Sequence, residues 1–231
     1  MAPVTELVVL PIKPDIGAEA VDEAMKTNIA TLLAQKGCER VRSSRVVEEP
    51  GKLRLFADWA SLEAHEAFAA DAAVYGPFLK RMGPLIDAAS FTADNPRRPP
   101  FHVEFSPYPP KALDAVGSPV AEILQMFFPA DISDELRAKT LATMTDFLGL
   151  AVADGITGEN ALGWSVERDV LFQGQPCRVL VVVIGWTSVE AHAKVRGSEE
   201  FAKLIPILRN LEGLKGREVC HVSNTVVEKG S

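Results

Sequence analysis

The hydrophobic and polar positions in the first part of the chain predict short strands alternating with amphipathic helices. Residues 5–12 form an apolar run closed by prolines, which favours a buried strand. Residues 18–36 carry apolar side chains at three- or four-residue intervals, as one face of a helix would. Further along, the pattern predicts strands at 39–47 and 53–59, helices at 62–70 and 75–87, and a last strand at 88–92. The predicted order is therefore β-α-β-β-α-β, the ferredoxin-like arrangement.

A proline-rich segment, residues 94–118, follows this unit, and we call it the strap. Its prolines resist regular structure, although residues 101–105 alternate as an edge strand would. The second part of the chain then repeats the first plan, with a strand at 120–128, a helix capped by Ser133, a hairpin at 162–186, helices at 189–196 and 199–211, and a strand at 217–227. The sequence thus predicts a first repeat at 1–93, the strap at 94–118 and a second repeat at 119–231.

One phrase occurs in both repeats at a constant offset. The phrase W-x-S-x-E-A-H runs from Trp59 to His65 and returns from Trp186 to His192, and 186 − 59 and 192 − 65 both equal 127. Each copy has a strand end, a serine suited to cap a helix, and the start of that helix. The opening strands align as well, and they set Glu6 against Glu122. The chain therefore contains two copies of one α+β unit.

The strand predicted at residues 179–186 decides how the two copies combine. Its sequence, VLVVVIGW, is apolar on both faces, whereas a strand in a sheet with one solvent-exposed face would alternate apolar and polar residues. One face must meet helices and the other must meet a second sheet. We therefore predict an α+β fold of two ferredoxin-like repeats, whose antiparallel sheets pack face to face as a barrel with helices outside.

Composition narrows the class of protein. The chain has 231 residues, of which 47% are hydrophobic and 24% are charged, and none of its apolar runs approaches the roughly 20 residues of a membrane span. The start of the sequence lacks signal-peptide features, so we expect a cytoplasmic protein without membrane association. A net charge of −7 with scattered Lys and Arg disfavours nucleic acid as a partner. Three well-separated cysteines suggest reduced thiols, and the spacing of His, Cys and acidic residues predicts no metal site.

The opening strand TELVVLPIKP and the phrases FADWASLEAH and VIGWTSVEAH resemble the dimeric α+β barrel superfamily, in particular antibiotic-biosynthesis-monooxygenase-like and stress-responsive A/B barrel domains. The resemblance covers most of each repeat and leaves out the strap. It implies a ligand pocket between sheet and helices in each repeat. It also implies chemistry such as cofactor-free oxygenation of aromatic rings, polyketide cyclisation or lactone isomerisation.

Haem degradation, also known in this superfamily, does not match the residues present. Haem-degrading relatives have an axial histidine about ten residues past the tryptophan, where this chain has Ala69 and Arg196. They also use an asparagine in the first strand, which both repeats lack. The resemblance therefore implies no haem and no other cofactor.

The resemblance and the titratable side chains together predict a site in the first repeat. His65 is predicted as proton donor or acceptor, oriented by Tyr75 or Asp58, since an imidazole exchanges protons near neutral pH. Trp59, Phe68, Trp186 and His192 are predicted to contact substrate. The second repeat lacks tyrosine, which favours the first repeat for chemistry. His102 and His221 have no partner visible in the sequence and are interpreted as structural.

Three functions remain open from sequence. The leading hypothesis is a cofactor-independent monooxygenase, cyclase or isomerase acting on a hydrophobic aromatic or polyketide-like molecule. The alternatives are a non-catalytic small-molecule-binding or stress-response protein, and a structural or assembly protein with filled pockets. A homodimer is also left open. A cavity of several hundred Å³ lined by Trp59 and His65 would favour the first two functions, and filled pockets would favour the third.

Overall fold

The computed structural model describes residues 2–92, 97–151 and 153–230. The helices of this part are α1 (Ala18–Leu33), α2 (Leu62–Ala70), α3 (Ala72–Met82), α4 (Asp134–Leu150), α5 (Val189–Arg196) and α6 (Glu199–Arg209). The strands are β1 (Val4–Pro11), β2 (Cys38–Arg45), β3 (Lys52–Trp59), β4 (Phe101–Val103), β5 (Val120–Pro129), β6 (Ile156–Trp164), β7 (Val170–Phe172), β8 (Gln175–Trp186), β9 (Gly216–Val222) and β10 (Thr225–Glu228). None of these helices combines the length and apolarity needed to cross a membrane.

The strands form two antiparallel five-stranded sheets. The first sheet has the order β10-β2-β3-β1-β4, and the second has β6-β8-β5-β9 with β7 paired to β8. Helices α1 to α3 cover the outer face of the first sheet, and α4 to α6 cover that of the second. The predicted α+β fold with two ferredoxin-like repeats is confirmed.

The inner faces of the two sheets meet in one apolar core. That core includes Leu7, Phe56, Phe101, Phe105, Ile123, Phe127, Val181 and Val183, all buried. Because β8 contributes to this core with one face and to the helix-covered core with the other, its unbroken apolar sequence is explained. Neither sheet could leave its inner face in water, so each repeat stabilises the other.

Backbone hydrogen bonds close the barrel at both edges. On one side Ser106 donates to the carbonyl of Leu162 at 2.9 Å, and Leu162 donates back to Ser106 at 3.1 Å. On the other side Val47 donates to the carbonyl of His221 at 2.9 Å. The sheets therefore continue into each other through the strap on one edge and through the loop after β2 on the other.

The prediction of a strand at residues 88–92 is wrong. Ala88–Ser90 is a short 3₁₀ turn, because the Asp87 carboxylate accepts from the Ala89 N–H and holds the backbone in a turn. The fourth strand of this repeat is β4, which pairs with β1 from within the strap. The predicted edge strand near residues 101–105 is thus confirmed, while residues 93–96, including Asp94 and Pro96 of the predicted strap, lie outside the described residues.

The predicted closing strand at 217–227 is in fact divided between the two sheets. Its first part is β9, beside β5 in the second sheet. The chain then crosses over, and β10 pairs with β2 in the first sheet. The last strand of the second repeat therefore completes the sheet of the first.

Candidate functional site

The repeated phrase has the same local structure in both repeats. Trp59 ends β3, and the Ser61 hydroxyl accepts from the Ala64 N–H, so α2 begins at once and holds His65 over the indole. The ring centroids of Trp59 and His65 are 5.1 Å apart. In the second repeat Ser188 caps α5 in the same way, and the rings of Trp186 and His192 are stacked at 4.5 Å.

Five side chains form a first cluster on the outer face of the first sheet: Glu6, Trp59, His65, His102 and Glu167. Trp59 Nε1 donates to Glu6 Oε2 at 3.2 Å, and His65 Nε2 lies 3.5 Å from Glu6 Oε1. His65 Nδ1 faces His102 Nε2 at 2.8 Å. His102 Nδ1 lies 2.6 Å from Glu167 Oε1, and the His102 backbone N–H donates to the other oxygen of that carboxylate at 2.8 Å.

The same arrangement recurs in a second cluster of Glu122, Trp186, His192, His221 and Glu48. Trp186 Nε1 donates to Glu122 Oε2 at 3.0 Å, and His192 Nε2 lies 3.4 Å from that oxygen. His192 Nδ1 faces His221 Nε2 at 2.7 Å. Glu48 bonds both His221 Nδ1 and the His221 backbone N–H, the latter at 2.9 Å.

Strand register explains why these groups meet. Glu6 is the direct cross-strand partner of His102, and Glu122 is that of His221, so each Glu–His pair stands on one face of its sheet. The outermost carboxylates come from the opposite repeat: Glu48 from the first and Glu167 from the second. Each cluster is therefore complete only when the barrel is closed.

Burial keeps the inner histidines neutral. It lowers the pKa of His65, and with the nearby His221 it lowers the pKa of His192 to about 4. The buried carboxyl of Glu122 has a raised pKa, also because of burial. Burial opposes ionisation of Glu167 as well, but hydrogen bonds from His102 outweigh it and lower the pKa of Glu167. In each cluster the pKa of the inner histidine is lowered by burial, and the pKa of the outer carboxylate is lowered by hydrogen bonds from the strand histidine.

The second repeat has a cavity beside its cluster. The cavity has a volume of about 100 Å³, and Glu122, Trp186 and His192 line it together with apolar side chains of α4 and α6 such as Phe147 and Leu208. It lies between sheet and helices, where the resemblance implies a ligand pocket.

Larger side chains occupy the equivalent positions of the first repeat. At the 127-residue offset, Phe68 corresponds to Val195 and Phe78 to Ile205. Phe68 is buried, stacks near Trp59 at 5.9 Å, and meets the rings of Tyr75 and Phe78 edge-on. Val195 lines the cavity instead. The sequence prediction favoured the first repeat for chemistry, whereas this cavity lies in the second.

The structure does not bring Asp58 to His65. Asp58 and Trp59 are consecutive in β3 and therefore point to opposite faces of the sheet. The Asp58 carboxylate lies inside the barrel, where it accepts from Thr5 at 2.8 Å and from Arg42 at 2.9 Å. Its counterpart is Gly185, because Ser118 and Thr157 fill that place in the second repeat.

The other predicted residues are only partly brought together. Trp59 contacts His65, and Trp186 contacts His192, as described above. Tyr75 is half-buried, with its ring against Phe68 and Phe78. In the described residues its hydroxyl makes no hydrogen bond to His65.

Sequence reasoning missed six members of the clusters: Glu6, Glu122, Glu48, Glu167, His102 and His221. Two signals for them were present. Glu6 and Glu122 occupy matched positions of the opening strands. A second offset relates the others, since 221 − 102 and 167 − 48 both equal 119. Each strand histidine and its partner carboxylate therefore recur in both clusters. This recurrence argues against the interpretation of His102 and His221 as isolated structural residues.

Comparison with known proteins agrees with this fold. Residues 3–74 match the family described as antibiotic biosynthesis monooxygenase. Among solved structures, an anthrone oxidase-like protein is 13% identical with a TM-score of 0.65, and the alignment covers 100% of this chain and 95% of that one. A protein provisionally named a monooxygenase from Lactobacillus acidophilus NCFM is 12% identical with a TM-score of 0.58, covering 100% and 98%. A chlorite dismutase variant from Candidatus Nitrospira defluvii is 10% identical with a TM-score of 0.52, covering 96% and 92%. No curated protein matches the chain.

These observations define the class of protein. The chain has the α+β barrel fold of the solved structures above, and it builds both sheets of the barrel from one polypeptide. The match to the antibiotic biosynthesis monooxygenase family model lies within the first repeat, at residues 3–74. At these identities the structural likenesses establish the fold alone.

Proposed function

We propose that the protein is an enzyme that transforms a small hydrophobic molecule in the cavity of the second repeat. The observation that carries this proposal is the cavity itself, which has apolar walls and the Glu122–His192 pair at its surface. Apolar walls with a few convergent polar groups are typical of ligand sites. The reaction belongs to the monooxygenase, cyclase and isomerase group that the superfamily resemblance implies.

The size of the cavity limits the substrate. Its volume of about 100 Å³ is below the ~300 Å³ of a site for drug-sized ligands and below the ~150 Å³ of a cavity that accepts benzene. A single ring therefore enters only with a small outward movement of α6, or a larger molecule inserts only its reacting end. This favours a one-ring aromatic or short aliphatic substrate over a fused polyketide.

The first repeat fits the third hypothesis from sequence, a structural element with a filled pocket. The side chains of Phe68, Tyr75 and Phe78 pack on one another where the second repeat has Val195 and Ile205. We propose that the first repeat is the scaffold and the second is the reactive half.

The test variant is Val195→Phe, which puts into the cavity of the second repeat the side chain that Phe68 has at the equivalent position of the first. Binding of phenol, catechol and hydroquinone is measured by thermal shift, because a ligand that binds only the folded state raises the melting temperature. We expect at least one probe to stabilise the wild type and to lose that effect in Val195→Phe. The matched control is Val116→Phe, the same change at a side chain that is 95% exposed.

Equal stabilisation of the wild type and Val195→Phe would refute this location of the site. Enzyme and binder are then separated by turnover. Conversion of the bound probe by the wild type, and its loss in His192→Ala with the fold retained, is expected of an enzyme. Binding without conversion would support the non-catalytic alternative.

A further inference from the structure

The two clusters contain every histidine of the chain. The sequence has four histidines, and they are the four members His65, His102, His192 and His221. In each cluster two histidines and one glutamate present ligand atoms that all lie within 4.8 Å of one another: Glu6, His65 and His102 in the first, and Glu122, His192 and His221 in the second. The chain thus builds the same three-ligand group twice.

The outer carboxylates determine which nitrogen of the strand histidine is free. A carboxylate can only accept, so the contact at 2.6 Å between Glu167 and His102 Nδ1 puts the proton on Nδ1. His102 Nε2 then carries a lone pair directed at the centre of the cluster, where it faces His65 Nδ1 at 2.8 Å. Glu48 has the same effect on His221. A carboxylate on the far nitrogen of an imidazole is the usual second partner of a metal-binding histidine.

The inner spacing suits a shared cation. The facing nitrogens are 2.8 Å apart in the first cluster and 2.7 Å apart in the second. Two nitrogens about 2.1 Å from one ion, at a right angle, would lie about 3 Å apart. Meanwhile His65 Nε2 and His192 Nε2 lie 3.5 and 3.4 Å from their glutamates, beyond good hydrogen-bond length.

The donor set indicates the kind of ion. Two imidazoles and one carboxylate suit borderline divalent metals such as Fe²⁺, Co²⁺, Ni²⁺ and Zn²⁺, and suit Mg²⁺ or Ca²⁺ poorly. Three protein ligands leave coordination positions for water or another small ligand. In the second repeat the cavity adjoins the ligands Glu122 and His192 and provides room for one.

We propose that each cluster binds one divalent transition-metal ion through its glutamate and two histidines. The outer carboxylates Glu167 and Glu48 orient the strand histidines. The ligands of each ion lie on one side of the barrel, and the carboxylate that orients the strand histidine comes from the opposite repeat, so binding also favours the closed barrel. This inference concerns the metal alone and does not depend on turnover of an organic substrate.

The test uses the full chain freed of metal with a chelator and titrated with Co²⁺ and Zn²⁺. We expect two ions per chain by calorimetry, and a visible absorption band from nitrogen-coordinated Co²⁺. His65→Ala and His192→Ala are each expected to retain one ion, and the double variant none. Glu66→Gln, an exposed change on the same helix as His65, is the control and is expected to retain two.

Failure to bind either ion at millimolar concentration, or undiminished uptake by the double variant, would overturn the proposal. Uptake of a single ion would overturn it for the cluster that stays empty. A second measurement needs no variant: long-range ¹H–¹⁵N spectra of the four histidines during Zn²⁺ addition. We expect a ligand nitrogen of each ring to shift, and unchanged spectra would refute metal binding. Val195→Phe is expected to keep both ions, which separates this proposal from that of the organic site.

Discussion

Gly163→Ala tests whether the strap closes the barrel. Gly163 lies in β6, where residues 104–106 cross close to it. A β-carbon added at Gly163 would lie 2.6 Å from the carbonyl carbon of Glu104 and 3.0 Å from the Cα of Phe105. Both are backbone atoms, so a side-chain rotation cannot relieve the clash. The strap must move away from β6.

The cost follows from the contacts that such a movement breaks. Glu104 donates to the carbonyl of Trp164 at 3.3 Å, and Ser106 and Leu162 exchange the two hydrogen bonds described above. At ~1 kcal/mol for each hydrogen bond, their loss amounts to about 3 kcal/mol. Overpacking of a core by itself costs ~1–3 kcal/mol, so we expect a loss of about 3 kcal/mol in the free energy of unfolding. For a chain of this size that lowers the melting temperature by about 6–12 °C.

The assay is urea unfolding followed by circular dichroism and tryptophan fluorescence. Gly149→Ala is the matched control, because Gly149 lies in α4 and an added β-carbon meets nothing within 4 Å. Alanine is the better helix former, so the control is expected to be neutral or stabilising by up to ~1 kcal/mol. If Gly163→Ala stays within about 0.5 kcal/mol of this control, the strap does not close the barrel through its backbone hydrogen bonds to β6.

Two further changes probe the interior of the barrel and the thiols. Asp58→Asn is expected to destabilise the protein by about 3 kcal/mol in urea unfolding, because it leaves the fully buried Arg42 with Asp114 as its remaining carboxylate partner. A loss below 1 kcal/mol would mean that the Asp58–Arg42 pair is dispensable. The three cysteines are buried, and burial raises the pKa of Cys38 to about 12, so at pH 8 a thiol reagent is expected to label none of them in the native protein and all three in denaturant. Rapid native labelling would contradict the packing of the strands that bear them.

The architecture was predictable because two signals in the sequence agree. The repeated phrase established the two units, and the two-sided apolar strand now seen as β8 required a second sheet. Residues 88–92 were misassigned because their composition permits a strand. They form a turn because the Asp87 carboxylate accepts a hydrogen bond from the Ala89 N–H. The crossover of β10 into the first sheet depends on pairing between distant segments, and the local pattern contains no trace of that pairing.

The candidate site was only half predictable. His65 and His192 were found through the repeat, but their partners lie 37 and 29 residues away along the chain, and strand pairing brings them together. The misplacement of Asp58 could have been avoided, since neighbours in a strand face opposite ways. The position of the cavity depends on the size of side chains such as Phe68 and Val195. The 127-residue offset sets these two residues against each other, but the prediction considered titratable side chains and not side-chain size.

The central physical claim is that each sheet is stable only because the other covers it, and calorimetry tests it most directly. At ~0.7 kcal/mol per residue, cooperative unfolding of all 231 residues has a van't Hoff enthalpy of about 160 kcal/mol, whereas one repeat alone would give about half of that. We predict a single transition whose van't Hoff and calorimetric enthalpies agree near the larger value. Two resolved transitions, each near the smaller value, would show that the repeats fold separately, and would contradict both the shared core and the two clusters that depend on it.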